Sequence, residues 1–200
     1  MFAAAPGLYP PAPMPLPFFT LGHSTRSIPD FVDLLRVGGV ELVIDIRKIP
    51  RSRTNPHYNE ENLAEALAQY QIGHGRIAAL GGLRSRTAEI APEVNGWWEN
   101  RSFHNYADHA LSDAFKAGLE ELLLLGRQRR TAIMCSEAVW WRCHRRLVAD
   151  HLITAGEEVF HLMGSAHAEP ARISAGALVA DGVVTYPVES AHDGAAAASE

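Results

Sequence analysis

The chain is short of three things: cysteine, lysine and long apolar runs. It has two cysteines in 200 residues. That excludes a disulfide-dense secreted scaffold and a four-cysteine zinc site. No apolar stretch reaches the roughly 18 residues of a membrane-spanning helix. Residues 1–17 lack the basic start and continuous apolar run of a signal peptide. The expectation is a cytoplasmic protein with reduced thiols and no membrane partner. Positive charge is not in excess either: the net charge is −5. A protein coated in basic residues to hold nucleic acid is excluded, but a local basic patch is not. Two lysines stand against 16 arginines. At an ordinary surface that exchange is cheap and reads as coding bias; at an anion site it is not.

What is present suits one soluble globular domain with tails. Hydrophobic residues make up 47% of the chain and charged residues 20%, enough to bury a sizeable core. Residues 1–17 carry six prolines and read as a flexible arm. Phe18–Leu21 reads as a first strand. Ser27 caps a helix with Ile28, Phe31, Val32 and Leu35 on one face, and Gly38-Gly39 ends it. Glu41–Ile46 is a second strand with a buried-type run, as in a parallel sheet. Asn59 caps a helix striped by Leu63, Ala66, Leu67 and Tyr70. Ile72–Ile77 is a weaker strand. A long loop over residues 78–105 carries Trp97 and Trp98, and loops of that length are often functional. A helix over residues 112–125, a strand over Thr131–Cys135, a helix over residues 138–155 and a strand over Glu158–Met163 complete a domain of residues 18–163. Residues 164–200 form an extension. In it Asp181-Gly182 marks a two-residue hairpin, and the Ala-rich end, residues 190–200, reads as a disordered tail.

Strands alternating with helices predict an α/β fold. The expected form is a single, mostly parallel sheet of about five strands with helices on both faces. In such sheets ligands bind beyond the carboxyl ends of the strands. The first strand exit carries His23, Ser24, Thr25 and Arg26. The second carries Asp45, Arg47 and Lys48, then Arg51. The fourth carries Cys135, Ser136 and Glu137, followed by Arg142, Cys143, His144 and Arg145. Three exits thus bring reactive and anion-binding groups to one edge.

Cys135 is the sharpest candidate. A thiol at a strand end before a helix N-terminus, near Arg or His, is favoured as the thiolate nucleophile. The competing reading is a small buried residue that finishes the strand. His144 could orient or deprotonate it, and Glu137 could assist or simply cap the helix. Asp45 could act as a base or hold the neighbouring arginines. His23, Ser24, Thr25, Arg26, Arg47, Arg51 and Arg145 suit a phosphate or carboxylate. Trp97 and Trp98 could stack a base or fill core. No cofactor is expected. A metal alternative would use Cys135, Cys143, His144 and His23, although the C-x7-C-H spacing is no standard zinc pattern.

The segments LGHSTRSIPDFVDLL, VIDIRKIPRSR with NPHYN, ALGGLR and MCSEAVWWRCHRRL together resemble the bacterial family catalogued as domain of unknown function 488 (DUF488). The resemblance covers roughly residues 18–163. It implies a single cytoplasmic α/β domain and no established reaction. Its recurrent polar positions fall on His23, Ser24, Arg26, Asp45, Arg47, Pro50, Cys135, Glu137, Cys143, His144 and Arg145. Many members have a charged or Pro-containing link before the second cysteine; here it is Ala138-Val139-Trp140-Trp141-Arg142. The leading expectation is an enzyme acting through Cys135 on a phosphate-bearing small molecule, nucleotide or nucleic-acid end. The alternatives are a non-catalytic nucleotide or nucleic-acid binding module and a metal-binding protein.

Overall fold

A computed structural model describes residues 15–164 and 167–188. Most of the Pro-rich arm and the whole Ala-rich tail lie outside those residues. Six strands form one sheet: β1 (Phe18–Gly22), β2 (Leu42–Asp45), β3 (Gly73–Arg76), β4 (Thr131–Cys135), β5 (Val159–Met163) and β6 (His167–Pro170). Their order is β3-β2-β4-β1-β5-β6. The first five run parallel and β6 is antiparallel at the edge. Five helices cover the sheet: α1 (Ile28–Val37), α2 (Glu60–Ala68), α3 (Arg101–Ala110), α4 (Asp113–Gly126) and α5 (Arg145–Thr154). The α/β architecture expected from the sequence is the one observed.

The central strands are buried on both faces, so each apolar residue in them serves one of two cores. Phe19, Leu21, Val43, Ala132 and Met134 pack with Phe31 and Leu35 of α1 and Leu63 and Leu67 of α2. Phe18, Leu42, Ile44 and Ile133 pack with Tyr106 of α3, Phe115 and Leu122 of α4 and Leu147 of α5. The strand period of two distributes these residues between the faces. Helices α1 and α2 therefore lie on one face and α3, α4 and α5 on the other.

That division positions the site. Strands β1 and β4 are neighbours, with Gly22 opposite Cys135. From β1 the chain passes over β4 to β2 through α1. From β4 it passes over β1 to β5 through α5. The two crossovers leave on opposite faces, so a crevice opens between the carboxyl ends of β1 and β4. This is the topological switch point at which α/β sheets bind ligands.

Caps explain most helix starts. Ser27 Oγ accepts from the Asp30 N–H and donates to Asp30 Oδ2, a capping-box variant at the start of α1. Ser112 caps α4 in the same way through the Phe115 N–H. Asn59 stands at the N-cap of α2 but makes no side-chain cap bond. Its Oδ1 instead accepts from the Ser52 N–H at 2.8 Å and fixes the loop beside the crevice.

Two elements differ from the sequence expectation. The long loop over residues 78–105 is shorter than expected, because α3 begins at Arg101, capped by the Asn100 side chain. The helix after β4 starts at Arg145 rather than near Ala138, with His144 as its N-cap. The intervening chain is held off the helix axis. Trp140 stacks on His161 of β5 at 4.4 Å, and the Arg145 guanidinium donates to the Glu137 and Ala138 carbonyls. Cys143 stays extended. Beyond Gly164, β6 joins the sheet, and β7 (Leu178–Ala180) pairs with β8 (Val183–Thr185) as a hairpin. Val184 and Tyr186 of this segment are part of the core.

Candidate active site

The crevice at the β1–β4 switch point is a cavity of about 780 Å³. Gly22 and Gly82 allow it to close around its floor. A Cβ on Gly22 would lie 1.7 Å from the Glu137 carbonyl oxygen, and one on Gly82 would lie 2.8 Å from His144 Nδ1. The end of β1 thus packs directly on the backbone leaving β4. Two bonds record this contact: the His23 N–H donates to the Cys135 carbonyl and the Ser24 N–H to the Ser136 carbonyl. Ser24 adopts a left-handed conformation, φ 51°, uncommon for a non-glycine residue and often found beside functional sites.

Cys135, Cys143 and His144 meet at the floor. His144 Nδ1 lies 3.9 Å from Cys135 Sγ and 3.7 Å from Cys143 Sγ. His144 Nε2 is 2.9 Å from the Ile46 carbonyl, which can only accept. Nε2 therefore carries a proton; in the neutral ring the Nδ1 lone pair faces both sulfurs and can take up a thiol proton, and once it has done so the ring donates Nδ1–H and favours the Cys135 thiolate. The tautomer follows from that network. Tyr106 of α3 supports the ring, with centroids 4.9 Å apart. Its hydroxyl donates to the Leu80 carbonyl.

The two thiols differ sharply. The Cys143 thiol, then His144 and the Glu137 N–H, hold Cys135 well below the ordinary thiol range, although burial opposes them. Burial first, then the neighbouring Cys135, pushes Cys143 far above it. The pair therefore loses its first proton as a unit, with the remaining proton on Cys143.

The other predicted residues separate into two groups. His23, Ser24, Thr25, Arg47, Arg51 and Glu137 line the cavity, as the strand-exit argument placed them. Asp45, Arg26, Arg145, Trp97 and Trp98 are not among the lining residues, and each is engaged elsewhere. Asp45 is fully buried and accepts from the Arg47 backbone N–H, Nε and Nη2. It holds an arginine, the second of its two sequence readings. Arg26 donates to the Gly22 carbonyl. Arg145 is 1% exposed and fastens the 137–138 backbone through Nη1 and Nη2, so its guanidinium is buried away from the cavity. Trp98 packs against Phe103 and Tyr186. Trp97 stacks edge-on to Trp98, and the Arg146 guanidinium lies over both rings. The two tryptophans build core and not a stacking surface at the cavity.

His23 lines the cavity but does not join the cysteines. Its ring stacks on Tyr58 at 4.0 Å. Its Nδ1 donates to the Ser24 carbonyl, so Nε2 is the acceptor facing Arg47 Nη1 at 3.3 Å. Burial is the largest cause lowering its pKa to about 4. The metal set drawn from the sequence loses His23, because a guanidinium faces its only available lone pair.

Sequence reasoning missed Tyr106, Ser52 and Asn55 as lining residues; Lys48 and Arg142 it placed at the strand exits without giving them a role, and both line the cavity. Tyr106 lies in a helix, Arg101–Ala110, whose first half was taken for loop.

The fold is that of an α/β protein with a cavity at the carboxyl edge of a parallel sheet, the position where such sheets bind ligands. The chain matches the family described as Domain of unknown function DUF488 over residues 27–152, and it belongs to that family. No curated protein and no solved structure matches it. Among the described residues, no helix is long and apolar enough to cross a membrane.

Proposed function

We propose that this protein is a thiol-dependent enzyme acting on a phosphate-bearing small molecule, nucleotide or nucleic-acid end. One observation carries the reading: a histidine whose Nε2 is anchored to the Ile46 carbonyl turns Nδ1 toward the Cys135 sulfur on the floor of an open cavity. This is the nucleophile–base–orienting-group arrangement of covalent catalysis. In this reading His144 Nδ1 takes the Cys135 thiol proton, the Cys135 thiolate attacks the electrophilic centre as the bond to the leaving group breaks, and His144 delivers the proton to that leaving group; water then releases the enzyme-bound product and restores the thiol. The Glu137 N–H beside the Cys135 sulfur favours its thiolate form. Lys48, Arg51 and Arg142 line the same cavity and attract the anionic part of the substrate. Arg51 reaches Glu61 in an exposed pair, a contact weak enough to exchange for a ligand. Two thiols side by side belong in a reducing compartment, so we place the protein in the cytoplasm. A nucleotide-binding module without chemistry is less well supported, because Trp97 and Trp98 are spent in the core.

Competitive alkylation tests this without knowing the substrate. Iodoacetate and iodoacetamide differ in charge but attack the same thiolate. Cys135 is expected to favour iodoacetate more than glutathione does, and Arg142→Gln is expected to reduce that preference severalfold. Added inorganic phosphate is expected to slow both reagents. An unreactive Cys135, or a reactive one with no preference for the anionic reagent, overturns the reading.

A further inference from the structure

The floor of the cavity has a second chemical capability that nucleophilic catalysis does not require. A Cys–His pair needs one thiol, yet this site holds two. The chain's only two cysteines come from different elements, one ending β4 and one preceding α5. Both sulfurs and His144 Nδ1 lie within 4.8 Å of one another. From the geometry we infer that Cys135, Cys143 and His144 form a three-ligand site for a thiophilic divalent cation, zinc above others, with its fourth coordination position open to the cavity.

Three features support it. First, the spacing is close to that of a tetrahedral site. With metal–sulfur and metal–nitrogen bonds of about 2.3 and 2.0–2.1 Å, neighbouring sulfur and nitrogen ligands stand roughly 3.6 Å apart. The observed sulfur–nitrogen separations are 3.9 and 3.7 Å and the two sulfurs lie within 4.8 Å of each other, so an ion would draw nitrogen and sulfur together by a few tenths of an ångström and the sulfurs by up to about an ångström. Second, the histidine is already oriented. A metal-bound imidazole commonly donates its other N–H to a carbonyl or carboxylate, which fixes the ring and its tautomer. Here the Ile46 carbonyl receives Nε2–H and leaves Nδ1 for the ion. Third, all three residues line the cavity, so a water or a substrate oxygen could take the remaining position. Two sulfurs and an imidazole select zinc or another late transition metal over magnesium or calcium, which prefer oxygen. The sequence offered these three residues with His23 despite a spacing that is no standard zinc pattern; the fold explains that spacing, because a strand end and a helix N-cap supply the ligands.

Metal loading and thiol attack compete at Cys135, because a bound ion withdraws charge from the sulfur and stands where an electrophile would have to approach. A bound zinc ion would therefore mask the nucleophile. The binding site stands independently of the thiol reading; only the masking rests on it.

Cobalt titration of the full-length, reduced, chelator-stripped protein tests the site. One equivalent of Co²⁺ is expected to produce thiolate-to-cobalt charge transfer in the near ultraviolet and the visible bands of a four-coordinate ion. One equivalent of Zn²⁺ should bleach both. Cys143→Ser should weaken binding by at least about tenfold, with circular dichroism confirming the fold. Should that variant not fold, the wild-type protein suffices, because one equivalent of zinc should block alkylation of Cys135 and a chelator should restore it. Absence of saturable one-to-one cobalt binding by the folded wild type, or binding unchanged by Cys143→Ser, overturns the site. Should cobalt fail to bind while Cys135 of the stripped protein alkylates readily, the thiol reading survives alone. Should cobalt bind while Cys135 of the stripped protein remains inert, the metal site survives alone.

Discussion

Replacing Asp45 with Asn should cost this protein about 3–5 kcal/mol, because it breaks a buried ion pair and leaves one charge behind. Asp45 is fully buried and Arg47 is 5% exposed. Asp45 Oδ1 accepts from the Arg47 N–H and Nε at 2.9 Å each, and Oδ2 accepts from Nε and Nη2. With Asn, one oxygen can still accept but the other becomes an NH₂ facing the guanidinium, which then keeps only neutral partners: that oxygen, the Tyr58 carbonyl and His23 Nε2. With a urea m-value of about 2 kcal/mol/M, the loss moves the unfolding midpoint down by roughly 2 M. Removing both partners, as in Asp45→Leu with Arg47→Met, should cost less than Asp45→Asn alone, since no uncompensated charge remains. Urea unfolding of the single and double variants reads this directly. A midpoint shift under about 0.5 M for Asp45→Asn, with an unchanged m-value, would refute the assignment of Asp45 as the holder of Arg47. It would return Asp45 to the candidates for a base.

Two further outcomes follow from neighbouring residues. Burial holds His151 near pH 4, against about 6.5 in an unfolded chain. The unfolded state therefore binds the extra proton between those values, and stability falls as pH drops through that window. His151 Nε2 also has no partner among the described residues. His151→Leu should remove this dependence and gain about 1.4 kcal/mol relative to wild type at pH 5.5 over its effect at pH 8; equal shifts at both pH values in denaturant unfolding would contradict this. Gly82→Ala places a Cβ 2.8 Å from His144 Nδ1 and should push the ring from its seat. Cys135 alkylation should slow at least severalfold while the melting temperature changes little, and an unchanged rate would detach His144 from the reactivity of Cys135.

Much of this arrangement was legible in the sequence, for physical reasons that differ between elements. Buried runs such as Leu42-Val43-Ile44 announce parallel strands, because both faces are covered. The rule that ligands lie beyond strand exits then gathered His23, Arg47, Cys135 and His144 without knowledge of strand order. What the rule cannot supply is side-chain direction. Asp45, Arg26 and Arg145 stand at the correct edge but turn to partners within the chain. An arginine that fastens backbone and one that awaits an anion have the same sequence signature. Helix α3 was missed although Phe103, Tyr106, Ala107 and Ala110 recur at helical spacing. Its polar composition and the adjacent tryptophans obscured the period. The start of α5 was placed too early because residues 138–142 have good helical periodicity. Tertiary contacts override it: the Trp140–His161 stack and the bonds from Arg145. That displacement has a functional consequence. It puts Cys143 and His144 ahead of the helix, facing Cys135, where a helix begun at Ala138 would have carried them a full turn along its side.

The most direct test of the central claim, that Cys135 is an activated thiolate, is its alkylation rate across pH in reduced, chelator-stripped wild-type protein, with the modified site located by peptide mass. The structure predicts iodoacetamide labelling of Cys135 ahead of Cys143, with a rate that reaches its plateau well below the ordinary thiol pKa of about 8.5. A rate that climbs tenfold per pH unit up to that value, or labelling of Cys135 only after unfolding, would contradict the claim and leave Cys135 a packing residue at the end of β4.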